Sequence, residues 1–367
     1  MRSGLIEFLL QSRAPVKRLP LHEVATVTTG TKPSDELFVD GASVAYLNGG
    51  VKPSGFVSEA NTDGDTLAIP SRGSVGVVGY SAQPFWCGPL CYRIRSSSPA
   101  LLTRFLYFAL KVQEREIVGL QQTGSIPALN KAQLSKVMVP VPPLEAQREI
   151  VRILDHFTEL EAELEAELEA RRVQYAHYRS LLFSRPQERV VPLGELLELK
   201  AGKFIAAAEI SPERDESSSY PCFGGNGIRG FVPDWSHEGD RVLIGRQGAL
   251  SGNVRRASGR FYATEHAVVA TPREGIDMSW LFHALTAMNL NQFVSRGAQP
   301  GLAVSTINNV TIEVPPLHEQ TAIGETLDKF DALVNDLSIG LPAERAARRK
   351  QYEFYRDKLL TFEEAPA

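Results

Sequence analysis

VPPLEAQREIVRILDHFTEL (141–160) lies over VPPLHEQTAIGETLDKFDAL (314–333) at a constant offset of 173 residues. Ten of the twenty positions are identical: Val141, Pro142, Pro143, Leu144, Gln147, Ile150, Leu154, Asp155, Phe157 and Leu160. Further on, RRVQYAHYRSLL (171–182) matches RRKQYEFYRDKL (348–359), now at an offset of 177. Self-similarity of this kind is the signature of a repeated architecture and has to be read before any local pattern.

Both blocks read as long helices. Pro142-Pro143 and Pro315-Pro316 end an extended run and suit a first helical turn, where a missing N–H costs nothing. Residues 144–183 then run without Gly or Pro, with Leu154, Phe157, Leu160, Leu164, Leu168, Tyr175 and Tyr178 at spacings of three, four and seven. That is an amphipathic stripe. Forty residues of helix span roughly 60 Å, and a helix so long should pair with another, most simply its own repeat. The expected seam holds Leu154, Phe157, Leu160, Leu164 and Leu168 on one helix and Leu327, Phe330 and Leu333 on the other. The second helix carries four more residues between its matched blocks, among them Gly340 and Pro342, which predicts a break near 339–342.

Working outward, the repeat continues beyond the helices. Pro20-Leu21, Glu23 and Gly30 align with Pro192-Leu193, Glu195 and Gly202. Gly64-Asp65, Ile69 and Gly73 align with Gly239-Asp240, Ile244 and Gly248, and Gly124, Pro127 and Leu129 with Gly297, Pro300 and Leu302. The chain therefore reads domain (1–140), helix (141–184), domain (185–313), helix (314–367). Each non-helical segment mixes short β-type runs, such as SVGVVGY (74–80) and RVLIG (241–245), with one helical pattern, LTRFLYFALKVQ (102–113) or SWLFHALTAMNLN (279–291). The expected fold is α/β (α+β): two compact domains related by pseudo-twofold symmetry and separated by two long antiparallel coiled-coil helices.

Composition excludes several classes. Hydrophobic content of 43% and charged content of 22% are those of a globular chain. No window approaches the ~18 apolar residues of a membrane span. The opening MRSGLIEFLLQSR is too weakly apolar for a signal peptide, so a cytoplasmic location is expected. Cys87, Cys91 and Cys222 cannot build a disulfide framework or a four-ligand zinc site, and buried thiols are expected. The net charge of −4 misleads about nucleic acid, because the acid is concentrated in the helical segments. Residues 1–140 carry 14 Lys+Arg against 10 Asp+Glu, and positions 241–264 hold five arginines and no carboxylate.

Catalytic signatures are missing. GNGIRG (225–230) fits GxGxxG by letter, but PDW follows it and no helix opens there. No phosphate-cradling GxxxxGK[ST] occurs, no methyltransferase signature around a target base is present, and Glu198-Leu199-Lys200 lacks the preceding Asp of a nuclease motif. The helix carboxylates lie on a solvated face. The chain reads as non-enzymatic, with no metal site and no cofactor of its own.

Repeated VPPLxxQ opening a long helix, RRxQYxxYRxxLL closing it, and TGSIPALN (123–130) ahead of VPVPPL together resemble the specificity (S) subunit of type I restriction–modification systems. The resemblance covers essentially the whole chain. It implies two target-recognition domains, each reading one half of a bipartite double-stranded DNA sequence. It implies an antiparallel helix pair that sets the spacer and docks two methyltransferase (M) subunits, which bring S-adenosylmethionine. Endonuclease/translocase (R) subunits would add ATP- and Mg-dependent cleavage. An alternative of the same class is an S-like targeting subunit of another methyltransferase-based phage-defence complex.

Recognition domains vary most within such a family, so the contacts are nominated from chemistry. Base edges are read chiefly by Arg, Lys, Asn and Gln, with basic and hydroxyl groups on phosphates. Candidates in turn-rich stretches of the first domain are Lys32, Asn48, Lys52, Ser71, Arg72, Gln122 and Ser125. In the second they are Lys203, Asn226, Arg229, Arg246, Gln247, Arg255, Arg256, Arg296 and Gln299. Arg72 and Arg246-Gln247 sit in aligned loops.

Overall fold

The structure, a computed structural model, describes residues 16–122, 127–186, 189–248, 250–295 and 300–363. The chain divides into two compact units: residues up to Glu163 together with those from Arg345 onward, and Leu164–Glu344.

The first unit opens with β1 (Arg18–Pro20), one helical turn α1 (Leu21–Val24) and β2 (Ala25–Thr29). Strands β3 (Val44–Leu47), β4 (Gly55–Val57), β5 (Thr66–Pro70), β6 (Gly79–Ser81), β7 (Trp86–Cys87) and β8 (Cys91–Ser96) follow. Helices α2 (Thr103–Val112), α3 (Glu114–Gly119) and α4 (Lys131–Leu134) and strand β9 (Met138–Pro140) lead into α5 (Leu144–Phe183), whose first half belongs to this unit. One antiparallel sheet has the order β2-β8-β5-β6; a smaller one, β4-β3-β7, contains a parallel β3–β7 pair, and β1 pairs with β9. All five residues of β5 are buried, since the smaller sheet covers one face and α2 the other side of the core.

The second unit repeats that order. It comprises β10 (Val190–Pro192), α6 (Leu193–Leu196), β11 (Leu197–Ala201), β12 (Tyr220–Gly224), β13 (Gly227–Val232), β14 (His237–Glu238), β15 (Arg241–Gly245), β16 (Val254–Ala257), β17 (Arg260–Ala263) and β18 (Ala267–Pro272). Helices α7 (Met278–Ala287) and α8 (Val304–Asn309), strand β19 (Thr311–Glu313) and helix α9 (Leu317–Asn335) complete it, and α10 (Leu341–Leu360) ends the description. The main sheet β11-β18-β15-β16 mirrors β2-β8-β5-β6, and β13-β12-β17-β14 matches the smaller sheet, again with one parallel pair, β12–β17.

Helix α5 runs unbroken over the forty expected residues, and the break between α9 and α10 falls at Asp336–Gly340, ahead of Pro342. Of the expected strand at 74–80 only Gly79 and Tyr80 are in a strand, as the start of β6, and residues 74–78 lie in the turn between β5 and β6. Gly73 (φ 75°) and Gly76 (φ 77°) take the left-handed conformation there, which an extended run cannot contain. The strand of that hairpin is TLAIP (66–70), whose Pro and Ala hid it from a β-propensity reading. RVLIG (241–245) is a strand as expected, and α7 stops before 291 because Asn289 turns left-handed (φ 48°).

Each unit clamps its helix in the same way. Gln147 is fully buried: its Oε1 accepts from Leu102 N–H at 2.8 Å, and its amide donates to the Ala100 and Pro142 carbonyls at 2.7 Å. Gln320, its repeat partner, accepts from Asp277 N–H at 2.9 Å and donates to the Pro315 carbonyl at 2.9 Å. The conserved-by-repeat VPPLxxQ thus anchors the start of the long helix to the cap of the domain's own helix, α2 or α7.

The helical seams are built from opposite ends of the two motifs. In the first unit Phe157 stacks on Tyr355 (5.7 Å between centroids) and leans on Tyr352 (6.4 Å), while Ile150, Leu154, Leu359 and Leu360 join the domain core. In the second, Phe330 stacks on Tyr178 (5.5 Å) and Tyr175 (6.3 Å), and Leu168, Leu327 and Val334 are buried with them. Within each unit the paired segments run antiparallel. Leu160 and Leu164 are half-buried. Leu333 is exposed, contrary to expectation: Val334, seven residues or two turns from Leu327, holds the stripe, and Leu333 lies a step of about 100° away.

Candidate nucleic-acid interface

At one end of each main sheet, three loops and the segment before the last short helix meet through the same backbone hydrogen bonds. In the first unit Ser71 N–H donates to the Leu90 carbonyl (2.8 Å), and Leu129 N–H donates to the Ser71 carbonyl (2.9 Å). In the second, Arg246 N–H donates to the His266 carbonyl (2.9 Å), and Leu302 N–H donates to the Arg246 carbonyl (2.8 Å). Ser71 is therefore the counterpart of Arg246, and Arg72 that of Gln247. The loops touch backbone to backbone: a methyl added at Gly49 would meet the Arg72 carbonyl at 3.1 Å, and one at Gly225 the Gln247 carbonyl at 3.3 Å.

This frame gathers most of the sequence-nominated residues. In the first unit Lys52, Arg72 and Gln122 are exposed on the converging loops, with Asn48 and Ser71 half-buried between them. Asn48 has a structural duty, since its Oδ1 accepts from Leu90 N–H at 2.9 Å. Lys32 is exposed and lies 3.7 Å from Asp35. In the second unit Asn226 accepts from Asn253 Nδ2 at 2.8 Å, Arg229 lies over Gly224, and Arg255 approaches Gly227. Lys203 enters from the turn after β11, where its N–H donates to the Ala263 carbonyl at 2.9 Å. Ser125, Arg296 and Gln299 lie outside the described residues.

Arg256 is engaged elsewhere. Its guanidinium pairs with Asp328 of α9 and stacks 4.2 Å from the Phe282 ring centre. Side chains alternate along a strand, so Arg256 shares the helix-facing side of β16 with Val254, whereas Arg255 shares the other with Ala257. The network around it runs from half-buried Asp328 and Ser279 to buried His283 and Tyr175: His283 Nε2 lies 2.8 Å from Asp328 Oδ1, Ser279 donates to Asp328 at 2.7 Å, and the Tyr175 hydroxyl lies 3.2 Å from His283 Nδ1. Burial pushes the His283 imidazole below its ordinary value, with Asp328 working against that, and pushes the Tyr175 hydroxyl up to about 12. Hydrogen bonds from Arg256, Ser279 and His283 outweigh burial and hold Asp328 below the usual carboxylate value. The corresponding pair in the first unit is Arg104 on α2 with Asp155 on α5 (2.5 Å).

Sequence reading missed Asn253, Glu265 and His266 in this frame. No signal in the sequence pointed to them: Thr264-Glu265-His266 takes the place of Gly88-Pro89-Leu90, an alignment visible only once the hydrogen-bond equivalence fixes the register. The cysteines 87, 91 and 222 are buried and free. Among the described residues there is no cluster of three or more His, Cys, Asp or Glu arranged for a metal, and no helix long and apolar enough to cross a membrane.

Comparison with known proteins bears on the same two surfaces. The chain is 52% identical over 207 residues to the type I restriction enzyme EcoprrI specificity subunit of Escherichia coli, a match covering 54% of this chain and 52% of that protein. It is 28% identical over 389 residues to a putative type I restriction enzyme specificity subunit of Haemophilus influenzae, covering 97% of this chain and 98% of that one. Its fold is similar to the crystal structure of a type I restriction–modification S subunit from M. genitalium, with a TM-score of 0.73 at 21% identity, over 97% of this chain and 98% of that one. The family described as the type I restriction modification DNA specificity domain matches residues 15–170 and again 188–344, one copy on each half of the sequence repeat. The chain belongs to this family and is a type I restriction–modification DNA specificity subunit with two recognition domains.

Proposed function

We propose that each unit's loop surface reads one half of a bipartite DNA target, and that the chain itself carries out no chemistry. The observation that supports this is one backbone frame used twice with different side chains. Ser71, Arg72 and Pro89-Leu90 in the first unit stand where Arg246, Gln247 and Glu265-His266 stand in the second. A constant frame with variable donors and acceptors is what two readers of different sequences require, because base edges differ chiefly in their donor and acceptor pattern. The long helices set the spacer and dock two methyltransferase subunits that bring S-adenosylmethionine. Endonuclease/translocase subunits using ATP and Mg complete the assembly. Co-expression with a methyltransferase partner and mapping of methylated positions tests the reading. A motif of two fixed half-sites around an unspecified spacer is expected, and methylation without such a motif would overturn it.

A further inference from the structure

At the loop Thr264–His266 the two recognition surfaces differ in chemistry. The first unit presents Pro89 and Leu90, with no polar side chain, whereas the second presents a carboxylate and an imidazole. The loop is held firmly: Thr264 is fully buried, its N–H donates to the Phe223 carbonyl at 2.9 Å, and Ala267 N–H donates to the Thr264 carbonyl at 2.9 Å. Glu265 Oε1 lies 3.1 Å from His266 Nε2. Glu265 Oε2 is shielded from solvent and has no hydrogen-bond partner among the described residues. An occluded carboxylate oxygen without a donor is costly, and its occlusion leaves Oε1, beside His266 on a side chain 28% exposed, as the oxygen an outside donor can reach. Arg246, on the segment that hydrogen-bonds to His266, carries the complementary vacancy, an occluded Nε without an acceptor.

We propose that Glu265 is a specificity-determining residue of the second domain, accepting a hydrogen bond from the exocyclic amino group of a cytosine or adenine in the major groove. An ionised carboxylate only accepts. In the major groove guanine offers N7 and O6 and thymine offers O4, all acceptors, so a carboxylate repels both. Cytosine N4 and adenine N6 are donors. One position of the second half-site therefore admits only an amino-bearing base on the strand that Glu265 faces. This rests on the reading of the loop surface as a DNA reader.

The test uses the full chain assembled with its methyltransferase partner. Methylated motifs are mapped for the wild type, Glu265→Gln, Glu265→Asp and Arg246→Ala. A glutamine amide can donate as well as accept, so Glu265→Gln is expected to lose roughly ten- to a hundredfold discrimination at a single base pair of the second half-site. Guanine or thymine then becomes tolerated there, with the first half-site unchanged. Glu265→Asp keeps the demand for an amino base even as binding weakens. An unchanged motif in Glu265→Gln, while Arg246→Ala does alter the second half-site, overturns this proposal and leaves the DNA-reading function standing. Uniform weakening over all sequences also overturns it, whereas a wild type with no bipartite motif overturns the parent reading.

Discussion

At the scale of single residues, position on a strand decides what an arginine does. Arg255 and Arg256 are adjacent, yet one faces the loop surface and the other is bound to Asp328 and Phe282. Arg246→Ala is therefore expected to cost about 1–3 kcal/mol of discrimination in the second half-site only, and Arg72→Ala the same in the first. Competition binding of the assembled complex against half-site variants checks this; equal weakening on all sequences would make either residue a phosphate contact. His283 gives a pH dependence whose sign follows from burial. Its native imidazole lies below the ordinary value of 6.5, so the unfolded chain takes up the proton first. Stability present above that value is lost as pH falls beneath it toward the native pKa. Asp328, whose carboxyl is also held low, acts in a separate window, below 3.8. Denaturant unfolding at pH 7.5 and 5.5 should show wild type losing stability and His283→Gln losing less. Half-buried His237, also held below its ordinary value by burial, acts in the same direction, and identical pH dependence in both proteins would refute the account.

Among elements, each long helix is tied at its start to its own domain by a buried glutamine. Gln147 and Gln320 join the helix to the loop before α2 or α7 through buried hydrogen bonds. Removing the amide strands buried backbone partners at about 1–3 kcal/mol each. Gln320→Ala should lower the unfolding midpoint more than Glu319→Ala, its exposed neighbour, and a difference near zero would show that water replaces the clamp. The stacked Phe157–Tyr355 and Phe330–Tyr178 pairs explain why the opening and closing motifs both recur. The first half of each helical stretch meets the second half of the other, so neither motif works without its partner.

For the whole molecule, the division between the two compact units falls at Glu163–Leu164, inside the three Glu-Leu-Glu-Ala tetrads of 159–170. A tetrad advances a continuous helix by about 6 Å and turns it by roughly 40°, while DNA rises 3.4 Å per base pair on one strand. Deleting Glu163–Ala166 should therefore change the spacer by one or two base pairs and leave both half-sites unaltered. Methylation mapping of the deletion strain decides, and altered bases inside a half-site would remove the helix from its role as ruler. The chain alone, acidic overall, should bind DNA far more weakly than its complex, with binding lost steeply as salt rises. Nanomolar, sequence-specific binding by the isolated chain at physiological salt would contradict this.

The sequence by itself determined the repeat, the forty-residue helix, the break before Pro342 and the family, because periodicity and proline placement are local properties that survive any packing. It also pointed to the loops, since glycine-rich turns carry exposed Arg and Gln wherever the chain reverses. Tertiary structure alone decided which side chains those loops bring together. Neither the diversion of Arg256 to the helix nor the exposure of Leu333 in favour of Val334 shows in composition, because each depends on a strand face or helix register set by distant partners. The same holds for Glu265. One acid after a run of arginines looks unremarkable in the chain, and only the hydrogen bond between Arg246 and the His266 carbonyl places it among the groups that can meet a base.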